Sequence, residues 1–235
     1  MKNAARSVRT FLSKYWGTER GLSAMLFFLV LALFVGAPLV AMGLVGPFLF
    51  DLLFTLFLLS GLAAFSNRRV LAFAALSVAA VTVIVRWAGY LLPGTAIGIW
   101  DDVLSILALS ILAGLVLILV FREGPITSHR IQGAIAVYLL MGLIWMSAYL
   151  LVYQTIPGAF RFPEDGLSGL RFKHNLAYFS FVTLTTVGYG DITPVHPLAR
   201  SLAMAEALIG QLYPAILIAR LVSMELATRQ ERRQK

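Results

Sequence analysis

From Leu22 to Ser66 the chain carries one ionisable side chain, Asp51, in an otherwise apolar stretch. Drawn as a single helix rising 1.5 Å per residue, that stretch is roughly twice the ~30 Å depth of a bilayer's hydrocarbon core. Water cannot cover it, so it has to lie in lipid and has to be broken once. Gly46-Pro47 is the natural break, because proline lacks a backbone donor and glycine permits a tight turn. Further apolar runs follow, and only 13% of the residues are charged against 60% hydrophobic. A soluble domain carries about 25% charged residues. The sequence therefore predicts an all-α membrane protein.

Six crossings fit the runs: residues 22–45, 48–66, 70–91, 103–121, 131–153 and 198–222. Asn67-Arg68-Arg69 forms a basic turn, Leu92 to Asp102 (with Pro93, Gly94, Asp101 and Asp102) reads as a loop, and residues 122–130 form a polar linker. The first run is longer than a signal-peptide core and follows a basic segment, so it reads as a retained span. That segment, residues 1–21, interleaves Lys2, Arg6, Arg9, Lys14 and Arg20 with Phe11, Leu12, Tyr15 and Trp16. It suits either a helix lying at the membrane surface or a solvated tail that enforces orientation. With the amino terminus inside, the basic residues left outside are Arg161, Arg171, Lys173 and Arg200, with Arg86 within a span. The positive-inside bias thus places both termini in the cytoplasm and residues 154–197 outside. The net charge of +8 is explained by topology, without nucleic acid as a partner; membrane lipids are the expected contact.

Residues 175–185 form an apolar stretch too short to cross, followed by Thr186-Val187-Gly188-Tyr189-Gly190-Asp191. A short helix that enters and returns as extended chain satisfies this pattern, because irregular backbone at membrane depth is tolerated only when buried in protein or lining a water-filled path. Aiming successive carbonyls at one axis requires the backbone to alternate between right- and left-handed conformations, and Gly188 and Gly190 permit the latter. Val187 and Tyr189 then point away from the axis and pack against the short helix, while Thr186 adds a hydroxyl oxygen. Such a strand replaces the water shell of a desolvated cation, and the carboxyl end of the short helix favours a cation there. One strand cannot encircle an ion, so a fourfold ring of chains follows.

The hexapeptide, flanked by Thr183-Leu184-Thr185 and a hydrophobic pore helix, resembles the potassium channel signature; the Thr-Val-Gly-Tyr-Gly loop is the usual illustration of a carbonyl selectivity filter. The resemblance covers residues 131–222, an outer helix, pore helix, filter and inner helix. It implies a homotetramer that conducts K⁺ through Thr186, Val187, Gly188, Tyr189 and Gly190, with no other metal and no enzymatic activity. It also implies that Asp191 bonds back to Tyr178, with Thr185 supporting the filter. Where some simple bacterial channels carry an acid in the pore helix, this chain has Val182, so their carboxyl–carboxylate pair behind the filter is missing.

In the sixth span, Gly210 falls where the family's inner helix often carries its hinge, and Pro214 frees the Gly210 carbonyl from its helical bond. Together they predict a bend, with close packing as the alternative for Gly210 alone. Gln211, Pro214 and Ile218 share one face and are expected to line a cavity. Glu206, an intramembrane acid, is expected to face protein and to bond pore-helix hydroxyls behind the filter, with a buried and satisfied or protonated acid without a gating role as the alternative. Asp51 and Arg86 lie at similar depths and are expected to pair, with a snorkelling Arg86 as the alternative.

Residues 103–121 contain no arginine, so the first four helices lack the charge needed for steep voltage sensing. Residues 223–235 read as a short cytoplasmic tail. His129, His174 and His196 show no metal-ligand spacing, and without cysteine there is no thiolate site. The competing readings are a weakly selective cation channel and a non-conducting membrane sensor or scaffold. A secondary transporter has no paired broken helices to support it.

Overall fold

The computed structural model describes residues 18–64, 69–91, 95–121, 127–163 and 170–234. The basic segment up to residue 17, the turn at Asn67-Arg68 and residues 122–126 of the linker lie outside them. The described residues form helices joined by turns and loops, with one short two-stranded ladder. Helix α1 (Thr18–Leu31) passes through a π-helical turn (Ala32–Gly36) into α2 (Ala37–Ala41). The Ala37 amide bonds the Ala32 carbonyl, five residues back. This wider turn sits immediately before Pro38, where an ordinary helix would lack a donor. The rod ends at Met42, with Gly43 in the left-handed region at φ 73° and the Leu44 amide returning to the Leu39 carbonyl. The break expected at Gly46-Pro47 therefore begins at Met42, and Pro47 instead precedes α3 (Phe48–Ala64).

Helices α4 (Arg69–Leu91), α5 (Thr95–Val120) and α6 (Ser128–Thr155) follow. By length and composition, Gly21–Ala41, Ile97–Val120, Ser128–Thr155 and Pro197–Met224 are each able to cross a bilayer, while Phe48–Gly61 and Leu76–Leu91 are shorter apolar helices. A single core joins α1, α3, α5 and α6. Leu22, Met25 and Leu29 face Phe54, Phe57 and Leu58, and Leu109, Leu112, Val116 and Val120 meet Ala134, Val137 and Leu140. The three- and four-residue spacing of these positions gives each helix one packed face. Small residues let the rods approach closely, as expected where lipid removes the hydrophobic driving force. A Cβ on Gly61 would lie 3.0 Å from Leu112, and one on Gly133 would lie 3.1 Å from Val120. This core continues past the linker into α6.

Beyond α6, strand β1 (Phe160–Arg161) pairs antiparallel with β2 (Thr193–Pro194), matching Phe160 to Pro194. Between them stands α7 (Leu170–Leu184), and α8 (Pro197–Gln234) closes the chain. A second core of Tyr149, Leu150, Phe160, Leu176, Phe179 and Ile192 fastens α7 to α6 and the ladder. Residues 223–234, expected as a tail, continue the α8 helix.

Residues 95–102 correct the expected loop. Helix α5 already includes them, and it buries both aspartates, Asp101 at 8% and Asp102 at 4% exposure. Distant partners make this tolerable. Arg86 donates to both Asp101 oxygens, at 3.1 and 3.2 Å, and to Ser105 Oγ at 3.0 Å, while Gln154 Nε2 donates to Asp102 at 2.6 Å. Arg86 also reaches Asp51 at 3.5 Å and lies 4.0 Å above the Phe54 ring. Asp51 accepts the Tyr90 hydroxyl at 2.5 Å. The anticipated Asp51–Arg86 contact thus exists beside a tighter, forked one to Asp101, the arrangement that a planar guanidinium favours on a carboxylate.

Removing one member of a buried, forked ion pair is costly, on the order of 3 kcal/mol. Asp101→Asn is expected to lower thermal stability in detergent by that order, and Asp51→Asn by clearly less. The reverse ranking in a melting experiment would make Asp51 the principal partner of Arg86.

Candidate functional site

The loop that follows α7 has an unusual backbone. Thr186, Gly188 and Gly190 all have positive φ, at 60°, 57° and 79°. Left-handed residues therefore alternate with Val187 and Tyr189. Glycine adopts this region without penalty, whereas Thr186 is the non-glycine residue with positive φ among those described. Its hydroxyl has a fixing partner: Gln211 Nε2 on α8 donates to Thr186 Oγ1 at 2.9 Å. The start of the loop is tied to the last turn of α7. Thr186 N bonds the Thr183 carbonyl at 2.9 Å, and the Val187 and Gly188 amides both reach the Val182 carbonyl, at 2.9 and 3.3 Å. Thr185 turns its hydroxyl back to the Phe181 carbonyl at 2.7 Å. Helix α7 thus delivers its carboxyl end, with its partial negative charge, directly to this loop.

At the far end, the Tyr178 and Tyr189 rings stack with centroids 6.4 Å apart and planes 2° apart, and the Asp191 carboxylate lies within hydrogen-bonding range of the Tyr178 phenol. Even so, Tyr189 is 72% and Val187 53% exposed in the single chain. The ladder of β1 and β2 joins the two flanks of the loop, reinforced by the Val195 amide on the Ala159 carbonyl at 2.8 Å. Nearer the start of α7, burial holds the His174 imidazole below its ordinary range, and its Nδ1 has no hydrogen-bond partner among the described residues.

Helix α8 seats against α7 in register. Ser180 and Leu184 are one turn apart on α7, as Glu206 and Gly210 are on α8. Ser180 Oγ lies 2.6 Å from Glu206 Oε1. A Cβ on Gly210 would fall 1.9 Å from the Leu184 carbonyl oxygen. Close approach thus gives Gly210 a role in packing, and α8 runs as one helix through Gly210 and Pro214. On the adjoining surface of α8, Gln211 and Ile218 are exposed and Pro214 is half-buried in the single chain. Helix α6 completes the seat. A Cβ on Gly142 would come 2.5 Å from the Phe181 ring, and Tyr138 donates to the Leu184 carbonyl at 3.3 Å.

Ser180, Tyr149, Gly142 and Tyr138 did not emerge from the sequence. The available signal was weak: a lone serine and lone tyrosines among apolar residues of helices that have to satisfy every hydroxyl in a low dielectric.

Four of the described helices are long and apolar enough to cross a membrane, and residues 137–226, from α6 through the loop into α8, match the family model described as "Ion channel". The chain is similar to Protein LctB of Geobacillus stearothermophilus, 51% identical over 45 residues, which is 19% of this chain and 33% of that one. It is also similar to two pore potassium channel b of Oryza sativa subsp. japonica, 38% identical over 93 residues, 38% of this chain and 23% of the rice protein. The matched stretches thus span a third or less of these relatives. No solved structure matches the chain.

Main-chain atoms oppose Gly210, so rotation of a side chain cannot make room for a methyl group. Gly210→Ala is expected to cost about 2 kcal/mol or more through overpacking, lowering the melting temperature of the purified protein. Pro214→Ala, which adds no atom against Leu184, should not do so. A Gly210→Ala protein as stable as the parent would show that α8 does not press on Leu184.

Proposed function

We propose that the chain is a subunit of a potassium-selective channel in the cell membrane. Four copies would surround one axis, and K⁺ would pass along the carbonyls of Thr186, Val187, Gly188, Tyr189 and Gly190. The observation that carries this reading is the alternating backbone at Thr186, Gly188 and Gly190. A strand of alternating hand turns successive carbonyls to one side, the arrangement needed to substitute for water around a bare cation without adding fixed charge. The ion channel match over residues 137–226 and the similarity to a two pore potassium channel support the same reading.

In this proposal the chain crosses the membrane six times, with α7 re-entrant and both termini cytoplasmic. Residues 22–121 form the four-helix membrane domain, residues 131–222 the pore domain, and residues 1–21 and 223–235 face the cytoplasmic interface. Asp191, Tyr178 and Thr185 brace the filter. Gln211, Pro214 and Ile218 face the cavity, and the Gly210 carbonyl left free by Pro214 gives α8 its point of bending on opening. Other copies and membrane lipids would cover the apolar side chains of α8 that stand exposed in the single chain, such as Leu208, Leu212 and Ile216. Helix α5 has no basic residue between Thr95 and Val120, so the membrane potential has no row of charges to act on. Opening is therefore expected to depend on voltage weakly or not at all.

Recording from the purified protein in planar bilayers, with K⁺ on one side and Na⁺ on the other, tests these points together. The reversal potential should follow K⁺, opening should depend weakly on voltage, and Gly188→Asp should abolish the current. A reversal potential near zero would favour a weakly selective cation channel. Absence of current from well-folded protein would favour a sensor or scaffold.

A further inference from the structure

Glu206, Ser180 and Tyr149 form a closed cluster between α8, α7 and α6, and all three are fully buried. The Tyr149 hydroxyl lies 2.5 Å from Glu206 Oε2, and Ser180 Oγ lies 2.6 Å from Glu206 Oε1. Ser180 Oγ also lies 2.8 Å from the Gly142 carbonyl oxygen. The last contact decides where the protons are. A carbonyl only accepts, so Ser180 spends its single hydrogen on Gly142. Its contact with Glu206 then needs a hydrogen from the acid. Tyr149 supplies its own hydrogen to the other carboxyl oxygen.

We propose that Glu206 is held as a neutral carboxylic acid that donates to Ser180, and so acts as the positioning residue that locks the inner helix to the pore helix behind the filter. The chain of donors runs from Glu206 to Ser180 to the Gly142 carbonyl, linking α8 through α7 to α6. With Glu206 ionised, three hydrogens become two for the same three contacts. One contact is lost, and a carboxylate is left buried with no cation among the groups acting on it. The ionisable groups facing Glu206 are phenols of α6: Tyr149 in direct contact, and Tyr138 within electrostatic reach. From α7 it meets the Ser180 hydroxyl, and within α8 its nearest partner in the seat, Gly210, carries no charge.

The position of the proton rests on these distances, whereas its effect on permeation rests on the proposed filter. Ser180 precedes the filter base by only two helical turns, and Leu184, the residue that Gly210 touches, lies one turn nearer. Losing the Ser180 contact therefore loosens the face that holds the Thr185–Val187 turn. Gln at position 206 preserves the pattern without an ionisable proton: its amide nitrogen donates to Ser180 and its amide oxygen accepts from Tyr149.

Infrared difference spectroscopy of the full chain in liposomes at neutral pH, parent minus Glu206→Gln, tests the proton directly. The carbonyl stretch of a protonated carboxylic acid should be present in the parent and absent from the variant, and Ser180→Ala should shift it. A carboxylate stretch instead would overturn the proposal. Should Glu206→Gln fail to fold, alkaline titration of the parent with isotope-labelled glutamate reads the same band. K⁺ flux supplies the second readout. Raising the pH should lower flux by roughly tenfold in the parent, the scale of one buried hydrogen bond lost, and leave Glu206→Gln unaffected. An equal alkaline loss in Glu206→Gln would overturn the positioning role. Absence of flux from every variant would instead reject the filter, and the infrared band would still report on Glu206.

Discussion

In hydrocarbon every main-chain N–H and C=O needs a partner, because no water is present to supply one. The described residues meet the requirement largely with helices, and one stretch that leaves them is the loop between α7 and β2. There Thr186, Gly188 and Gly190 turn the backbone away from any regular ladder. The amides at the start of the loop are returned to α7 through the Thr183 and Val182 carbonyls. Carbonyls released from secondary structure in this way need a different partner, and a partly dehydrated cation is the one that the proposed function supplies. The alternating backbone and the proposed activity are two aspects of the same constraint.

Holding such a loop in place demands rigid surroundings, and the packing shows how they are built. Helix α7 is clamped between α6 and α8 by contacts that leave little room for adjustment. Gly142 admits the Phe181 ring, Gly210 admits the Leu184 carbonyl, and Gln211 fixes Thr186. Each involves either a residue without a side chain or a hydrogen bond of definite direction. The polar groups of the first four helices follow the same rule. Arg86, Asp101, Asp51, Ser105 and Tyr90 satisfy one another, so that charges within apolar helices are paired.

The helices were legible in the sequence because apolar runs of sufficient length admit few alternatives, and the loop was legible because two glycines separated by one residue mark alternating backbone. What escaped was non-local. Asp101 and Asp102 follow Pro93-Gly94 and look like loop residues; only the fork from Arg86 and the amide of Gln154 make a buried helical position acceptable for them. At Gly210 the sequence allowed both a hinge and close packing, but it could not name the packing partner, a carbonyl 26 positions away in sequence on another helix. Thr186 gave no local sign of a left-handed backbone. The Asp51–Arg86 contact was anticipated from depth alone, which locates charges along the helix axis but cannot choose between two carboxylates on different neighbours.

The central claim is that main-chain oxygens of residues 186–190 contact the ion. Solid-state NMR of the protein in liposomes, with ¹³C-labelled carbonyls at Val187 and Gly188, tests this without relying on current. Exchanging K⁺ for Na⁺ should move both resonances while leaving those of helix α5 in place. Resonances at Val187 and Gly188 that do not respond to the exchange would contradict the account.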